Sequence, residues 1–481
     1  MNYRDLREWL DLVEREGELK KVDGARWDLE IGAISQLCEV KNTGKKEFAL
    51  LFDDVPGFPP GHRVLTNYIN SLWRFALTVE LPIGLRRQDY VKAWLEKYSV
   101  IPRIEPRYVK DGPIMENICR DDKVNLLEFP TPKWYEGDGG RYIGTGAVTI
   151  SVDPDENWVN LGVYRVMLLD RDKVIVYISP GRHGYIHRQK WFAKGRSFPM
   201  AISIGHDPLL YVVGSVEQPY GVSEYEVAGG IKGEPLEVIK GPVTGLPIPA
   251  RGEIVIEGEC LVDDTSIEGP FGEWSGYYAS TAREEPIMRV KAVYYRNRPI
   301  ILGFSGLRAP KGTPLEGQII RSALLKRQME NAGIPDVTGV WFHKEGGPYM
   351  LTAVSIKQRY PGHARQAGHL ASSCRTGAYC GAYVIVVDDD VDVTDLTHVM
   401  WAVATRTDPE NAIDLIRKAW STPLDPRISP ENRAKRVFNN SRAVIDACRP
   451  YEWREQFPAV VDVSKNLEKA TLARWSSVIL G

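Results

Sequence analysis

The sequence predicts a mixed α/β protein with three regions and a tail, and two observations support this. Residues 115–310 contain closely spaced strand patterns separated by glycine and proline, whereas residues 1–114 and 315–430 alternate helical and strand patterns. A chain of 481 residues is long enough for about three domains with cores large enough to bury a cofactor. Residues 431–481 are predicted to form a helical tail.

The first region is predicted to be α/β. It opens with apolar residues at helical spacing, and Gly17 is expected to end that helix. The residues concerned are Leu6, Trp9, Leu10 and Val13. Residues 48–52 form a short apolar run that is typical of a strand.

The second region is predicted to be a β-barrel. Residues 144–152, 201–204, 252–258 and 287–294 all alternate or are rich in β-branched side chains. Residues 157–170 and 174–178 are expected to form a strand and its return, joined by a polar turn.

The third region returns to a helix and strand pattern. Residues 315–332 and 397–406 have helical spacing, and residues 349–356 and 382–387 read as strands. Parallel-sheet α/β packing is the expected outcome.

Composition excludes several function classes. The 61 Lys and Arg residues balance 63 Asp and Glu residues, so no broad basic field exists to attract nucleic acid or an anionic membrane. The six cysteines form no Cys-x-x-Cys pair, and neither an apolar signal stretch nor a run of ~20 apolar residues is present. We expect a cytoplasmic protein with reduced thiols.

Two carboxylates stand five residues apart in a segment that cannot be ordinary helix. Gly269, Pro270 and Gly272 separate Glu268 from Glu273 and allow a sharp turn, so both acids can face one cavity. That arrangement suits general acid/base chemistry. A surface loop with two solvated glutamates is the alternative.

Three further polar residues, Asn160, His183 and Glu224, each lie beside a glycine or a turn. Their amide oxygen, imidazole and carboxylate suit a divalent ion such as manganese or magnesium. Arg165 stands in the same strand as Asn160, where an apolar residue is expected, and a polar residue there needs a partner. A histidine after a turn is more often a surface residue than a ligand, and a strand arginine often only pairs with a nearby acid.

Taken as a set, these motifs resemble the UbiD family, the decarboxylases that use prenylated flavin mononucleotide and include the ferulic acid decarboxylases. The site blocks are Asn160-Leu-Gly-Val-Tyr-Arg165, Arg182-His183, Ser223-Glu-Tyr225 and Glu268-Gly-Pro-Phe-Gly-Glu273. Similarity extends to residues 3–10, 356–364, 384–392, 399–402 and 405–406, and it covers roughly the first 430 residues.

The resemblance implies a role for each site residue. Asn160, His183 and Glu224 are similar to the ligands of a manganese ion that also holds the cofactor phosphate. Four residues match the positions that line the flavin: Val163, Tyr164, Arg165 and Arg182. Arg165, Glu268 and Glu273 resemble the catalytic set, with Glu273 as proton donor, and a potassium ion is implied near the phosphate.

The implied reaction is the reversible, non-oxidative decarboxylation of an aromatic, heteroaromatic or α,β-unsaturated carboxylic acid. It needs an electron sink that no side chain supplies, and prenylated FMN is the family's covalent sink. Glu273 must donate a proton, so we expect Glu268, Arg165 and Glu273 to titrate as one coupled unit.

The resemblance also implies an architecture and partners. The barrel is expected to be a split barrel of the flavin-reductase type, and the C-terminal α/β region to make the subunit contacts of a homodimer or homohexamer. A flavin prenyltransferase is implied as the supplier of the cofactor.

Two alternatives remain open at this stage. Some relatives are carboxylase or partner subunits of anaerobic assemblies. Residues 390–394, which follow a strand and two further aspartates, also resemble the Asp-x-Asp-x-Thr motif of haloacid-dehalogenase-type phosphatases. That motif normally opens its domain, which argues against the phosphatase. Substrate recognition is expected from residues 302–318, which include Phe304, and from the third region. Arg308 or Lys311 is a candidate for contact with a phenolate or a second carboxylate, and a solvated loop is the alternative.

Overall fold

The structure is a computed structural model that describes residues 3–41, 46–216, 218–304, 306 and 315–479. It is a mixed α/β protein, as predicted. No helix in these ranges is both long and apolar enough to cross a membrane.

The first region begins with helix α1, whose apolar face packs into the core as its spacing predicted. Leu6, Trp9, Leu10 and Val13 are buried, and the Asp5 carboxylate caps the helix by accepting hydrogen bonds from two backbone N–H groups. The elements of the region are α1 (Leu6–Arg15), β1 (Leu19–Asp23), α2 (Glu30–Lys41), β2 (Ala49–Asp53), β3 (Arg63–Thr66), α3 (Leu72–Thr78), α4 (Arg87–Val100) and β4 (Arg107–Tyr108).

The central region is built mainly of strands. Its strands are β5 (Asn117–Arg120), β6 (Arg141–Gly144), β7 (Val148–Val152), β8 (Val159–Val163), β9 (Arg165–Asp170), β10 (Lys173–Tyr177), β11 (Phe198–Gly205), β12 (Glu237–Lys240), β13 (Pro247–Pro249), β14 (Ile254–Glu268), β15 (Arg283–Tyr295) and β16 (Ile300–Leu302). Its helices are α5 (His183–Ala193), α6 (Pro208–Ser215) and α7 (Glu224–Lys232).

Nine of these strands form one curled, antiparallel sheet. Eight follow the order β6-β9-β10-β15-β14-β11-β7-β8, and β5 pairs with β15. Strand β8 is the last in this order and β9 is the second, so the two lie near opposite ends of the sheet. Along the chain, however, only Tyr164 separates them. The sheet therefore curls until its ends approach each other, giving the half-barrel expected from the sequence.

The continuous strand predicted for residues 157–170 is wrong at Tyr164. Strand β8 pairs with β7, whereas β9 pairs with β6 and β10, so the chain changes partners at this residue. Hydrophobic spacing does not reveal such a change, because both halves are buried.

One strand of the N-terminal sheet comes from the far end of the central region. The sheet has the order β1-β2-β3-β16, and β16 pairs in parallel with β3. A smaller sheet joins β4 to β12 and β13. The first two regions are therefore held together by shared sheets.

The third region contains a five-stranded sheet flanked by helices. Its elements are α8 (Leu315–Asn331), β17 (Val337–Phe342), α9 (Gly347–Met350), β18 (Leu351–Ile356), α10 (His363–Ser373), α11 (Arg375–Ala378), β19 (Tyr383–Asp388), α12 (Leu396–Arg406), β20 (Ile413–Trp420), α13 (Pro430–Ala434), β21 (Asn439–Ala447) and α14 (Lys465–Ile479). Short 3-10 helices occur at Pro113–Glu116, Asp121–Lys123, Leu126–Glu128, Lys344–Gly346 and Tyr451–Gln456.

The predicted parallel packing describes only the centre of this sheet. Its order is β17-β18-β19-β21-β20, in which β18, β19 and β21 are parallel neighbours and both edge strands are antiparallel. Strand β21 lies beyond the predicted limit at residue 430, inside the segment predicted as a helical tail. Helix α14 follows it.

The hydrophobic core is continuous across the regions. One cluster joins the N-terminal helices, the outer side of the half-barrel and part of the third region, with Trp9, Val148 and Ile319 among its members. A second fills the half-barrel, and a third packs α8 against the C-terminal sheet. This packing fixes the half-barrel and α8 on opposite sides of one cavity.

Candidate active site and metal site

A cavity of about 240 Å³ lies between the half-barrel and the third region. The half-barrel contributes residues around the junction of β8 and β9, together with the first residues of α5 and α7. The third region contributes Arg321, Tyr349 and Tyr379. The cavity thus joins parts of the chain that are far apart in sequence.

Arg165 links the two predicted acids. Its Nε donates to Glu268 Oε1 over 2.7 Å and its Nη2 donates to Glu268 Oε2 over 2.8 Å, while its Nη1 donates to Glu273 Oε1. The Arg165 guanidinium also lies 4.5 Å from the centre of the Tyr177 ring and 5.2 Å from that of Phe271. Pairing and stacking hold the guanidinium in one orientation.

The two acids have different surroundings. Glu273 lines the cavity, whereas Glu268 is 0% exposed and is not among the described residues that line it. The expectation that both acids face one cavity therefore holds for Glu273 alone. Tyr142 donates from its hydroxyl to Glu268 over 3.3 Å, and Ser280 donates to Glu273 over 3.2 Å.

The electrostatics of this group follow from one cation between two carboxylates. Burial disfavours the charged guanidinium, but Glu273 and Glu268 outweigh it and hold the pKa of Arg165 above its ordinary value. Arg165 is therefore always charged, and the group carries a net negative charge when both acids are ionised. Burial and the neighbouring Glu268 likewise raise the pKa of the Tyr142 hydroxyl.

The three predicted metal ligands line the same cavity. Asn160 lies on β8, His183 is the first residue of α5, and Glu224 is the first residue of α7. The α7 N-terminus and β8 are bound directly, because the Leu161 backbone N–H donates to Glu224 Oε2 over 2.7 Å. The N-termini of α5 and α7 and strand β8 therefore meet at this cavity.

This cluster has the features of a cation site. Burial raises the pKa of Glu224 to about 8, although the Leu161 N–H lowers it. Asn160 is buried and lines the cavity, and its amide oxygen is the atom able to bind a cation. No group of three or more His, Cys, Asp or Glu suited to a metal occurs in the described ranges, but here an amide takes the place of one such residue. These donors fit a manganese or magnesium ion.

The two helix N-termini also favour a phosphate. The helix dipole places partial positive charge at the start of a helix and attracts negative charge. Helices α5 and α7 both begin at the cavity wall. A metal bound by His183 and Glu224 would add to this positive field.

Aromatic side chains hold His183 in place. Its ring meets Trp158 edge-on at 5.4 Å and Tyr220 at 5.6 Å between ring centres. Tyr220 is fixed in turn, since its hydroxyl donates to Asp153 over 2.5 Å and accepts from Lys190 over 3.0 Å. Sequence reasoning did not identify this supporting network, because its residues are spread over separate elements.

The remaining predicted cofactor contacts also lie at the cavity. Val163, Tyr164 and Arg182 line it. The Tyr164 hydroxyl accepts from the Gly184 backbone N–H over 3.1 Å. A Cβ added at Gly162 would come within 2.3 Å of the Tyr164 ring, so this position requires glycine. Tyr164 therefore both joins the ends of the half-barrel and forms the cavity wall.

Several cavity residues were not identified from the sequence. Trp274, Arg321, Tyr349 and Tyr379 line the cavity, and the ring centres of Trp274 and Tyr349 are 4.4 Å apart. No spacing signal marks residues that meet only in the tertiary structure. Phe304 lines the cavity as expected, whereas Arg308 and Lys311 lie outside the described residues.

The aspartates at the end of β19 are engaged in structural ion pairs. Arg406 donates to Asp388 over 3.1 Å and to both oxygens of Asp390, and the Arg449 backbone N–H donates to Asp388 over 2.7 Å. None of these residues lines the cavity that contains Arg165. A phosphatase nucleophile would need a carboxylate that is open to substrate.

Comparison with known proteins identifies the family of the chain. Three models of the 3-octaprenyl-4-hydroxybenzoate carboxy-lyase (UbiD) family match the chain: its N-terminal domain over residues 10–94, its Rift-related domain over 107–308 and its C-terminal domain over 316–447. A pyrrole-2-carboxylic acid decarboxylase of Pseudomonas aeruginosa is 31% identical, with 99% of this chain and 98% of the relative covered. A phenolic acid decarboxylase of Streptomyces sp. is 31% identical over 94% of this chain and 93% of the relative.

Solved structures show the same architecture. The UbiD-class enzyme HmfF from Pelotomaculum thermopropionicum, in complex with FMN, has a TM-score of 0.85 and 29% identity, with 98% of this chain and 100% of that chain covered. An evolved dimeric form of HmfF, in complex with prFMN, has a TM-score of 0.81 and 27% identity over the same shares of the two chains. Vanillic acid decarboxylase of Sedimentibacter hydroxybenzoicus, in open form, has a TM-score of 0.85 and 28% identity over the full length of both chains.

The family models and the relatives place the chain in a class of carboxy-lyases, and two of the similar structures contain FMN or prFMN. The chain belongs to the UbiD family of carboxy-lyases.

Proposed function

We propose that this protein catalyses the reversible, non-oxidative decarboxylation of an aromatic, heteroaromatic or α,β-unsaturated carboxylic acid with prenylated FMN as cofactor. The observation that carries the proposal is the position of Arg165, which holds Glu273 at the wall of the cavity that also contains Asn160, His183 and Glu224. A proton donor and a candidate phosphate–metal site thus share one enclosed space.

The cofactor site is proposed from the donors that are present. Asn160, His183 and Glu224 would hold a manganese ion, and that ion with the N-termini of α5 and α7 would hold the cofactor phosphate. When bound, prenylated FMN would supply the electron sink that no side chain offers. Val163, Tyr164, Arg165 and Arg182 would contact the flavin.

Glu273 is proposed as the proton donor. Loss of carbon dioxide leaves a carbon that needs one proton, and Glu273 is the acid of the Arg165 group that reaches the cavity. Glu273 gives up its proton in this step and recovers one from water before the next turnover. In the carboxylating direction the same carboxylate removes the proton.

Arg165 and Glu268 are proposed to position that acid. Glu268 is fully buried and binds two donor nitrogens of Arg165, leaving Nη1 to face Glu273. A guanidinium fixed in this way gives the Glu273 carboxyl a defined direction towards substrate. Ser280 adds a second contact to Glu273.

The cofactor assignment is tested by co-expression with a flavin prenyltransferase, the proposed supplier of prenylated FMN. We expect a visible flavin-type absorption band, about one manganese per chain, and carbon dioxide release from a panel of aryl, heteroaryl and acrylic acids. Protein expressed without the prenyltransferase is the control and should be inactive. Colourless but active protein would exclude the cofactor.

The direction of the reaction is tested separately. Holoprotein that releases no carbon dioxide from the panel but exchanges labelled bicarbonate into substrate would be a carboxylase or a carboxylase subunit. We propose decarboxylation as the activity of the isolated chain, because the proton donor and its positioning residues are all in this chain. Potassium binding near the phosphate stays a prediction from the family resemblance.

We also propose that the protein is a homodimer or homohexamer whose subunit contacts come from the α/β region of residues 315–430, with helix α14 of the tail as a further contact surface. Helix α14 has no buried residue, and it presents Leu467, Trp475, Val478 and Ile479 to the outside. Exposed apolar side chains on one helix favour burial against another chain. Light scattering during size-exclusion chromatography measures the mass, and a strictly monomeric holoprotein would contradict the proposal.

A further inference from the structure

A second cavity, of about 530 Å³, adjoins the first and is lined by cationic side chains. The two cavities share five lining residues: Arg182, His183, Val216, Arg321 and Tyr379. Arg327 and Arg375 also line the second cavity, and none of the described residues around it is Asp or Glu. Its walls therefore create a positive potential next to the candidate active site.

Arg321, which lines both cavities, has a side chain with a nitrogen left unsatisfied by the described residues. It projects from α8 and is only partly buried, and its Nη2 donates to the Thr376 carbonyl over 3.2 Å. Its Nε is buried and has no hydrogen-bond partner among the described residues. Within the same ranges no carboxylate forms an ion pair with it. An arginine with these properties favours an anionic ligand.

Aromatic rings surround the Arg321 guanidinium. It lies 4.1 Å from the centre of the Tyr349 ring and 5.7 Å from that of Tyr379. The Tyr349 ring also packs against Trp274, which follows Glu273 in sequence. Arg321 is therefore on the same wall as the rings next to the proton donor. Glu273 and Arg321 both line the first cavity, so a ligand that fills this cavity meets both residues.

Arg165 is a contrasting cation in the same cavity. Its charge is matched by Glu268 and Glu273, so it has little left to attract an anion. Arg182 lines both cavities too, but its side chain already has interactions of its own. The charge of Arg321 has no such match among the described carboxylates.

We propose that Arg321 binds a second acidic group of the substrate, so that the preferred substrates are ring or acrylic acids with a second carboxylate. The inference rests on the proposed decarboxylase function. A cation paired with the departing carboxylate would stabilise the ground state, because that group must leave as uncharged carbon dioxide. A cation in the substrate cavity is therefore expected to bind a carboxylate that remains in the product.

The experiment compares acids that differ only in a second carboxylate. The pairs are pyrrole-2-carboxylate with pyrrole-2,5-dicarboxylate, and cinnamate with 4-carboxycinnamate. For the wild-type holoprotein we expect a higher kcat/KM on each dicarboxylate. In Arg321→Met that kcat/KM should fall about 10- to 100-fold, mainly through KM, as expected for one lost charged hydrogen-bond contact.

Several readouts separate this contact from a structural effect. The kcat/KM of each monocarboxylate should fall less in Arg321→Met than that of its dicarboxylate partner, because the monocarboxylate lacks the group that Arg321 binds. Arg321→Lys should restore part of the dicarboxylate activity. Arg327→Met is the matched control, since Arg327 is on the same helix and lines the second cavity but not the first. It should keep the wild-type preference.

Three results would overturn the inference. Wild-type protein could show no preference for dicarboxylates, or Arg321→Met could lose both members of a pair equally. Arg321→Met could also lose its bound flavin, which would make Arg321 a contact of the cofactor phosphate instead.

Failure of the proposed function has a different signature, because wild-type holoprotein would then turn over neither member of any pair. Calorimetric titration with pyrrole-2,5-dicarboxylate still decides the inference in that case. Binding should weaken about tenfold or more in Arg321→Met and stay unchanged in Arg327→Met. Equal binding to the wild type and Arg321→Met would refute it.

Discussion

Arg165 and Glu268 form a two-point ion pair in which Nε donates over 2.7 Å and Nη2 over 2.8 Å to the two carboxylate oxygens. Because Glu268 is fully buried, this pair fixes the guanidinium from behind. The third donor, Nη1, is left for Glu273 at the cavity wall. The two acids therefore differ in function although they are only five residues apart in sequence.

The first prediction concerns Glu273. Glu273→Gln keeps the shape of the side chain but removes its transferable proton, so decarboxylation should fall by about 10²-fold or more. The visible spectrum of the bound flavin should not change, because the proposed phosphate and metal contacts are elsewhere. Glu273→Asp should keep part of the activity. Near-normal turnover of Glu273→Gln would remove this residue from the proposed proton transfer.

The second prediction concerns Glu268. In Glu268→Gln only the amide oxygen can accept, so Arg165 loses one of its two anchoring bonds and the charge that balances it. We expect kcat to fall about 10- to 100-fold with little change in KM, together with a lower Tm. Glu285→Gln is a matched control, because Glu285 pairs with Arg188 on a neighbouring part of β15 and does not line the cavity. A normal kcat in Glu268→Gln would show that Arg165 does not need the ion pair with Glu268 to keep its position.

The third prediction concerns the metal. Glu224→Gln replaces the only carboxylate of the proposed ligand set, so manganese content and bound flavin should fall together. Glu226→Gln changes an acid in the same helical turn that does not line the cavity, and it should keep both. Inductively coupled plasma mass spectrometry and absorption spectroscopy measure the two quantities. Full manganese content in Glu224→Gln would exclude Glu224 as a ligand.

The fourth prediction concerns stability at low pH. His206 is 0% exposed, and burial lowers its pKa to about 3. In the unfolded chain histidine has a pKa of about 6.5. As pH falls, His206 therefore takes up a proton in the unfolded chain before it does so in the folded protein. The stability from His206 is thus complete above about pH 6.5 and is lost as pH falls towards 3, with a slope of about 1.4 kcal/mol per pH unit.

His206→Asn tests that slope. Urea unfolding at pH 7, 6 and 5 should show a smaller loss of the free energy of unfolding in the variant than in the wild type. His187 and His343 also have pKa values lowered by burial, so some pH dependence should remain. Equal slopes in the two proteins would show that His206 is not the group that titrates.

Much of the fold was predictable because the spacing of apolar residues within a short stretch of sequence shows which side chains of a helix or strand are buried. Leu6, Trp9, Leu10 and Val13 gave the first helix, and the strands near residues 201–204 and 287–294 follow from their β-branched side chains. The break at Tyr164 and the antiparallel edges of the C-terminal sheet were not predictable. Both features depend on which strands pair with each other, and the pairing partners are distant in the sequence.

The candidate site shows the same division. Motif spacing selected Asn160, Arg165, His183, Glu224 and Glu273, and the structure brings all five to one cavity. Glu268 was expected there too, but its side chain turns away into the core behind Arg165. Side-chain direction depends on the register of β14 and on the loop that follows it, and spacing alone does not determine either.

The sequence by itself determined the family, the fold class and the residue types available for chemistry, because these depend on composition, local periodicity and motifs. Only the tertiary structure decided that Glu273 faces the cavity while Glu268 supports Arg165, and that Arg321 joins them from helix α8. The first relationship depends on contacts within the half-barrel, where Arg165 and Glu268 are 103 positions apart, and the second on contacts between the half-barrel and the third region. The partners in both cases are far apart along the chain, and local sequence carries no record of them.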